Sequence, residues 1–244
     1  MSLKDKTIAD KAILVTGANR GIGQALVKEA LRRGAKRVYA ATRQPLTHLD
    51  GRVTPLTLDV TNAAQIRGAV DKVESLDILL NNAGVSPFDD LSDRRVLEQQ
   101  LAVNLFGPYD VTQAFLPLLI RSRGTIVNVL SLSSLAAVPF SPAYSISKAA
   151  AFSLSQSLRA LLAGRGISVH RVLPGPVDTD IDLDIPKASP ESVARAILDG
   201  VEKGEEEIFP DPMSESVAEG WRSSAVKALE RQFAAYVEAT PVQS

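Results

Sequence analysis

The sequence predicts an α/β fold, in which a doubly wound parallel sheet of seven strands carries helices on both faces. Short apolar segments alternate along the chain with longer segments whose apolar residues recur at helical spacing. The short segments are apolar at nearly every position, which is typical of parallel strands covered on both faces. Because crossovers between parallel strands are right-handed, we expect the sheet to be doubly wound. In such a sheet the ligand site lies where the carboxyl ends of the strands meet.

Glycine, proline and polar clusters separate these segments and define their limits. Strands are predicted over residues 12–15, 37–42, 53–58, 76–80, 125–130, 167–173 and 207–209. Helices are predicted over residues 24–34, 62–73, 93 to about 119, 142–163 and 190–202. The 93–119 helix should bend at Gly107-Pro108, because proline inside a helix removes a hydrogen bond.

The whole chain, residues 1–244, is interpreted as one domain, with residues 211–244 as a helical extension packed on it. Residues 214–237 carry apolar side chains at helical spacing: Val217, Trp221, Ala225, Leu229 and Phe233. Such a row predicts a helix that docks on the rest of the protein through its apolar face.

The composition is that of an ordinary globular protein and excludes several classes of function. Its formal net charge of −1 argues against general affinity for nucleic acid or for a membrane surface. It has no cysteine, and its two histidines, His48 and His170, are far apart, so disulfides, thiolate chemistry and a metal site are not expected. We expect a cytoplasmic protein, because no signal peptide is evident and no apolar run reaches about 18 residues.

A glycine-rich turn follows the first strand. Residues 16–23 read TGANRGIG and lead into an amphipathic helix. Glycines let a backbone approach a ligand closely, and a helix N-terminus presents unpaired N–H groups to a phosphate. The spacing differs from the G-x-G-x-x-G of the dinucleotide fingerprint. Taken alone, the turn therefore fits a phosphate site and a plain strand-to-helix turn equally well.

Tyr144 and Lys148 are four residues apart in a predicted helix and therefore share a face. A phenol ionises near pH ~10, so proton transfer at neutral pH requires a neighbouring cation that lowers its pKa. Ser131 follows the fifth predicted strand. From there it would hydrogen-bond the substrate oxygen with which Tyr144 exchanges a proton. Each of these residues, taken singly, also fits a structural role.

Together, the motifs resemble those of the short-chain dehydrogenase/reductase family, over about residues 12–179. They are TGANRGIG at 16–23, Asp59-Val60, NNAG at 81–84, Asn104, Ser131, YSISK at 144–148 and PGPVDT at 174–179. The resemblance implies a Rossmann-like oxidoreductase with a proton-transfer tetrad. Tyr144 would be the general acid or base, and Ser131 would polarise the substrate carbonyl. Lys148 would hold the nicotinamide ribose and lower the tyrosine pKa, and Asn104 would anchor a water.

The same resemblance implies a nicotinamide cofactor, with its adenine at Asp59-Val60 and its nicotinamide amide at residues 174–179. The residues expected to bind it are Gly17, Asn19, Arg20, Gly21, Ile22, Gly23, Arg43, Asp59, Val60, Asn81, Ala83, Gly84, Tyr144, Lys148, Pro174, Val177 and Thr179.

Two arginines favour NADP over NAD as this cofactor. An acid at the end of the second strand selects NAD through the ribose 2′-hydroxyl, whereas an arginine there accommodates the 2′-phosphate of NADP. The second predicted strand ends at Thr42-Arg43, with no acid before Pro45, and Arg20 lies in the glycine turn on the same side. Both guanidinium groups would form charge-assisted hydrogen bonds with a phosphate.

The predicted reaction is NADPH-dependent reduction of a ketone or aldehyde, reversible as alcohol dehydrogenation. The resemblance places the substrate beside residues 85–88, residues 132–140 and the segment after Thr179. The side chains expected to line this site are apolar and suit a carbonyl compound with an apolar body: Val85, Phe88, Leu132, Val138 and Phe140. Two alternatives remain, a specialised substrate such as an acyl-carrier ketone or a steroid, and a catalytically inactive NADP(H)-binding sensor. A homodimer or a homotetramer is possible, and the sequence leaves the oligomeric state open.

Overall fold

The computed structural model describes residues 7–179 and 185–239. Within these residues the strands are β1 (Ala12–Thr16), β2 (Arg37–Thr42), β3 (Val53–Thr57), β4 (Ile78–Asn81), β5 (Thr125–Val129), β6 (Ser168–Val172) and β7 (Glu207–Ile208). They form one parallel sheet in the order β3-β2-β1-β4-β5-β6-β7. The predicted parallel, seven-stranded sheet is confirmed.

The α-helices in the described part of the chain are α1 (Gly21–Arg32), α2 (Ala63–Val70), α3 (Arg94–Leu101), α4 (Gly107–Ser122), α5 (Pro142–Leu162), α6 (Pro190–Lys203), α7 (Pro212–Arg222) and α8 (Ala225–Ala239). Each predicted helix is present, with shifted ends. None of the described helices is long and apolar enough to cross a membrane.

The sheet is buried on both faces, which explains its nearly continuous apolar strands. On one face, Ile13 and Val15 of β1 pack with α1 and α6 in an apolar cluster. On the other face, Ala12 and Leu14 pack with α2, α4 and α5, and Phe115 is fully buried at their centre. Side chains that alternate along a strand thus enter two different cores.

The break in the long helical segment takes a different form from the predicted bend. Residues Ala102–Phe106 form a π-helical turn, in which the Gly107 N–H donates to the Ala102 carbonyl, and α4 then begins at Gly107. Asn104 lies inside this turn. A π turn inserts one residue into the helix, and such turns occur frequently at functional sites.

The C-terminal helices dock differently from the prediction. Val217, Leu229 and Phe233 are 42%, 47% and 57% exposed, so the predicted apolar row faces mainly outward. Trp221 is the member of the row that packs inward, edge-on to the Phe152 ring at 5.3 Å. The helix ends at Arg222 and restarts at Ala225, which changes the phase of the row.

α8 instead contacts the sheet through buried charges. Lys227 is 1% exposed, and its Nζ lies 2.6 Å from Glu207 and 2.8 Å from Glu206. Arg171, on β6, contacts Glu230 of α8 at 2.7 Å and also pairs with Glu207. The positive charges of Lys227 and Arg171 thus lie against the negative charges of glutamate carboxylates. A charged side chain can be buried when it is paired with an opposite charge in this way.

A second ionic group joins α1 to α6. Glu29 accepts two hydrogen bonds of 2.7 Å from Arg32 and one of 2.8 Å from Arg33. Arg33 also contacts Glu202 and Asp199 of α6. The hydrogen bond from Arg32 is the main cause that lowers the pKa of Glu29 from 4.5 to about 2, against the opposing effect of burial.

Replacing Glu29 by glutamine should therefore lower the free energy of unfolding at pH 7. The full pKa shift corresponds to roughly 3 kcal/mol, and solvent screening of the exposed Arg32 reduces this to about 1–2 kcal/mol. Because the folded-state pKa is depressed, the contribution of Glu29 is complete above pH 4.5 and is lost as the pH falls toward 2. Urea unfolding of both proteins at pH 7 and pH 3 measures this, and an equal difference at the two pH values would contradict it.

Candidate active site

The polar turns singled out in the sequence all lie at the carboxyl ends of the strands. β1 leads into the glycine turn, β4 ends at Asn81, β5 is followed by Ser131 and β6 by Pro174. β1 lies between β2 and β4, so the chain order reverses there. In open α/β sheets a ligand crevice forms outside such a reversal point.

The glycine turn packs closely against the turn that follows β4. Gly17 has φ +68°, and a Cβ at this position would lie 3.0 Å from the Ala83 Cα. A Cβ at Gly23 would lie 2.1 Å from the Gly17 carbonyl oxygen, well inside contact distance. Two backbone segments thus approach each other closely at the start of a helix whose first N–H groups are unpaired. Ile22, in the first turn of α1, is partly buried and packs against the apolar core.

Thr16 and Asn82 hold these two turns together, and the sequence analysis assigned neither a role. The Thr16 hydroxyl oxygen accepts hydrogen bonds from the N–H groups of Asn82 and Ala83, both at 3.0 Å. In return, the Asn82 amide donates to the Thr16 carbonyl at 2.9 Å. The available signal was a polar residue at the end of each of two neighbouring strands.

The segment after β6 reaches back to the glycine turn. A Cβ at Gly21, where φ is +53°, would lie 3.1 Å from the Thr179 side chain. Val177 is 7% exposed and bridges to Ala188. The Pro174 carbonyl accepts a hydrogen bond of 3.0 Å from the Leu132 N–H, next to Ser131. Residues 174–179 therefore connect the glycine turn with the loop that carries Ser131.

Helix α5 brings Tyr144 and Lys148 to the same place as Ser131. The Lys148 Nζ lies 5.6 Å from the centre of the Tyr144 ring, and the Tyr144 hydroxyl is hydrogen-bonded with Ser131. Lys148 is 5% exposed and donates a hydrogen bond of 2.8 Å to the Val129 carbonyl at the end of β5. The three side chains that the sequence singled out are thus neighbours.

We expected Lys148 to lower the pKa of Tyr144, but in the structure this pKa is raised. Burial raises the pKa of Tyr144 to about 12, although the hydrogen bond from Ser131 opposes this effect. Burial also lowers the pKa of Lys148 to about 8. The Lys148 ammonium donates its hydrogen bond to the Val129 carbonyl and not to the phenol. At neutral pH, Tyr144 is therefore protonated, which is the form that donates a proton to a carbonyl oxygen.

Asn104 connects the π turn with the other members of the tetrad. Its side chain is buried and exchanges two hydrogen bonds of 2.9 Å with the Val85 backbone. The same amide donates to the Ser147 hydroxyl at 2.9 Å, next to Lys148. A Cβ at Gly84 would lie 3.2 Å from the Asn104 amide oxygen and 3.6 Å from the Lys148 Nζ. Both N–H donors of the Asn104 side chain are therefore used by protein groups, and the water-anchoring role of Asn104 stays a prediction.

Two residues expected at the cofactor have side chains engaged inside the fold. The Asn81 amide is buried and donates to Asn128 at 2.9 Å and to Thr112 at 3.1 Å. Val60 packs against Gly107, where a Cβ would lie 2.7 Å from the valine side chain. Contacts of these two residues with a cofactor would therefore be made by their backbone groups.

Asp59 and Arg43 lie near each other after strands β3 and β2, and Arg20 lies in the glycine turn. The Asp59 carboxylate accepts two hydrogen bonds from Thr61, at 2.7 and 2.9 Å. Burial raises the pKa of Asp59, but these hydrogen bonds and the nearby charge of Arg43 outweigh it, so the pKa is lowered. Arg20 and Arg43 are exposed, as is Asn19 in the same turn. The Ala18 N–H donates to the Ala41 carbonyl, so turn and strand end are adjacent.

Aromatic side chains lie beside Tyr144 at the predicted substrate side. The rings of Phe88 and Phe140 are 5.8 Å apart, and they are 59% and 50% exposed. Asp89 accepts a hydrogen bond of 3.2 Å from the Ala143 N–H, in the first turn of α5. The loop that carries Phe88 is therefore tied to the helical turn that carries Tyr144. Of the third predicted substrate segment, residues 180–184 lie outside the described residues.

The chain is similar in sequence to known short-chain dehydrogenases. A family model described as short chain dehydrogenase matches residues 11–189. A short-chain dehydrogenase of Penicillium crustosum is 39% identical over 187 residues, which are 70% of this chain and 67% of that protein. Estradiol 17-beta-dehydrogenase 2 of Mus musculus is 35% identical over 191 residues, which are 71% of this chain and 50% of that protein.

A solved structure is similar over nearly the whole chain. It is the crystal structure of a short chain dehydrogenase from Burkholderia cenocepacia in complex with NADP, and it is 33% identical with a TM-score of 0.85. The similarity covers 93% of this chain and 98% of that one. The chain therefore belongs to the short-chain dehydrogenase family of Rossmann-like oxidoreductases.

Proposed function

We propose that this oxidoreductase reduces ketones and aldehydes with NADPH and runs in reverse as an alcohol dehydrogenase. The observation that carries the proposal is the placement of the protonated Tyr144 beside Ser131 and the buried Lys148. The Ser131 and Tyr144 hydroxyls would both hydrogen-bond the substrate carbonyl oxygen. Tyr144 would donate its proton to that oxygen, and Lys148 would position the ribose of the cofactor.

The residues present fit a dinucleotide. Gly17 and Ala83 form a backbone cradle that a side chain at Gly17 would fill, and the start of α1 adds N–H groups that suit a phosphate. Arg20 and Arg43 suit the additional 2′-phosphate of NADP. NADPH, when bound, supplies the hydride. The NADP complex of the Burkholderia cenocepacia relative supports the same choice.

The test is a direct assay. Oxidation of NADPH and, separately, of NADH is followed with a panel of aldehydes and ketones. We expect turnover with NADPH, and faster turnover for substrates with an apolar body. Tight NADPH binding without turnover of any carbonyl compound would favour the inactive sensor instead, although the intact tetrad argues against it.

A cytoplasmic location and a homo-oligomeric state stay predictions.

A steroid is the specialised substrate that the observations favour most. The mouse relative is named for the oxidation of estradiol, and the exposed Phe88 and Phe140 rings suit a flat apolar molecule. An acyl-carrier substrate would require a basic surface near the entrance. The large exposed side chains described on this side, Phe88 and Phe140, are apolar instead.

Replacing Arg43 by aspartate should reverse the cofactor preference. Losing one charge-assisted hydrogen bond should raise KM for NADPH about 30-fold, and the new carboxylate should lower KM for NADH by accepting from the ribose hydroxyl. Arg37→Asp is the matched control, because Arg37 is also exposed and lies at the opposite end of the same strand. A ratio of kcat/KM values that changes equally in both variants would disprove the assignment of Arg43.

A further inference from the structure

We propose that Asp211, at the start of α7, is a positioning residue that fixes the Pro174-Gly175 loop and, through it, Ser131. This inference rests on the proposed function, since that loop would receive the nicotinamide. Asp211 is 7% exposed and lies between β7 and α7. Its carboxylate therefore joins the C-terminal helices to the candidate active site.

The two carboxylate oxygens of Asp211 have different tasks. Oδ1 accepts hydrogen bonds from the N–H groups of Met213 and Ser214, at 3.1 and 3.0 Å, and so caps α7. Oδ2 accepts from the Gly175 N–H at 2.8 Å and from the Ser214 hydroxyl at 2.8 Å. The bond to Gly175 spans 36 residues of chain, so helix capping alone does not account for it.

Glycine at position 175 allows the Pro174-Gly175 loop to lie this close to Asp211. A Cβ there would lie 2.8 Å from the Asp211 Oδ1 and 3.2 Å from the Met213 Cβ. The preceding carbonyl, of Pro174, accepts the hydrogen bond from the Leu132 N–H. A continuous set of hydrogen bonds thus runs from α7 through the Pro174-Gly175 loop to the residue after Ser131.

The Gly175 N–H and the Ser214 hydroxyl both donate to Oδ2, so the atom at this place must be a hydrogen-bond acceptor that carries no hydrogen of its own. Asparagine at position 211 keeps one oxygen for the helix cap, but its amide nitrogen then faces the Gly175 N–H, and two donors repel each other. Asp211→Asn therefore breaks the bond to the loop and retains the cap. Ser214→Ala removes the hydroxyl that completes the capping box and leaves the bond to Gly175 intact.

The experiment compares wild type, Asp211→Asn and Ser214→Ala in two measurements. The first is hydrogen exchange at the Gly175 amide, which depends on no cofactor. We expect exchange to be at least about tenfold faster in Asp211→Asn alone, because a charge-assisted hydrogen bond is lost. The second is NADPH binding and steady-state reduction. Here Asp211→Asn should raise Kd for NADPH about tenfold and lower kcat about tenfold or more, since displaced catalytic groups lose rate steeply.

The outcomes separate the two proposals. Unchanged exchange at Gly175 in Asp211→Asn would overturn the role of Asp211, whatever the activity. Faster exchange with unchanged Kd and kcat would also overturn it, because the loop would then be irrelevant to the site. Equal losses of activity and melting temperature in Asp211→Asn and Ser214→Ala would reduce Asp211 to a helix cap. If the wild-type protein bound NADPH but reduced no carbonyl compound, the proposed function would be refuted. The Kd values for NADPH of the three proteins would still show whether Asp211 positions the loop.

Discussion

Replacement of Tyr144 by phenylalanine should lower kcat for carbonyl reduction by about 10²–10⁴-fold, the usual contribution of a positioned general acid. The phenylalanine ring keeps the packing of the tyrosine and removes the hydroxyl that meets Ser131. The raised pKa of about 12 means that the lost group is a proton donor throughout the neutral range. Because Lys148 and the glycine turn still hold the cofactor, loss of the single Tyr144 hydroxyl should change Kd for NADPH by less than about tenfold.

Tyr109→Phe is the matched control for this change. Tyr109 lies on α4 and is 43% exposed, so the same chemical alteration is made away from the site. NADPH oxidation with a fixed ketone, together with fluorescence titration of NADPH, measures both quantities. Reduction that stays within tenfold of wild type in Tyr144→Phe would refute Tyr144 as the proton donor. A comparable loss in Tyr109→Phe would indicate a general effect on the protein.

The fold was predictable because its physical signals are local. A strand buried on both faces is apolar at nearly every position, and β1 and β4 have this pattern in the sequence up to their polar last residues. Tyr144 and Lys148 were also predictable, because their spacing on a helix places them on one face. Ser131 was assigned to the same site because it follows the fifth predicted strand, and in the structure it lies next to Tyr144.

The features that the sequence did not predict depend on contacts between distant segments. Lys227 is a charged residue beside an apolar row, and it faces inward because it meets the carboxylates of Glu206 and Glu207, about 20 residues earlier in the chain. Asp211 has the sequence pattern of a helix cap, and its bond to Gly175 exists only in the folded chain. The raised pKa of Tyr144 likewise follows from burial, which no spacing of residues reveals.

Gly23 should be the least replaceable glycine of the turn, although its backbone is helical. Alanine normally stabilises a helix by up to about 1 kcal/mol relative to glycine. At position 23, however, the added Cβ would lie 2.1 Å from the Gly17 carbonyl oxygen and 2.6 Å from the Asn82 amide. The start of α1 must then move away from both turns. We expect Gly23→Ala to lower the free energy of unfolding by about 1–3 kcal/mol and to weaken NADPH binding about 100-fold or more.

Gly68→Ala provides the comparison that isolates this steric effect. Gly68 lies within α2, and a Cβ there would meet nothing within 4 Å. The same substitution should therefore raise stability slightly at position 68 and leave NADPH binding unchanged. Urea unfolding and fluorescence titration of both variants measure the two effects. If Gly23→Ala bound NADPH as tightly as Gly68→Ala, close packing of the glycine turn against the Asn82 turn would not be what shapes the cofactor site.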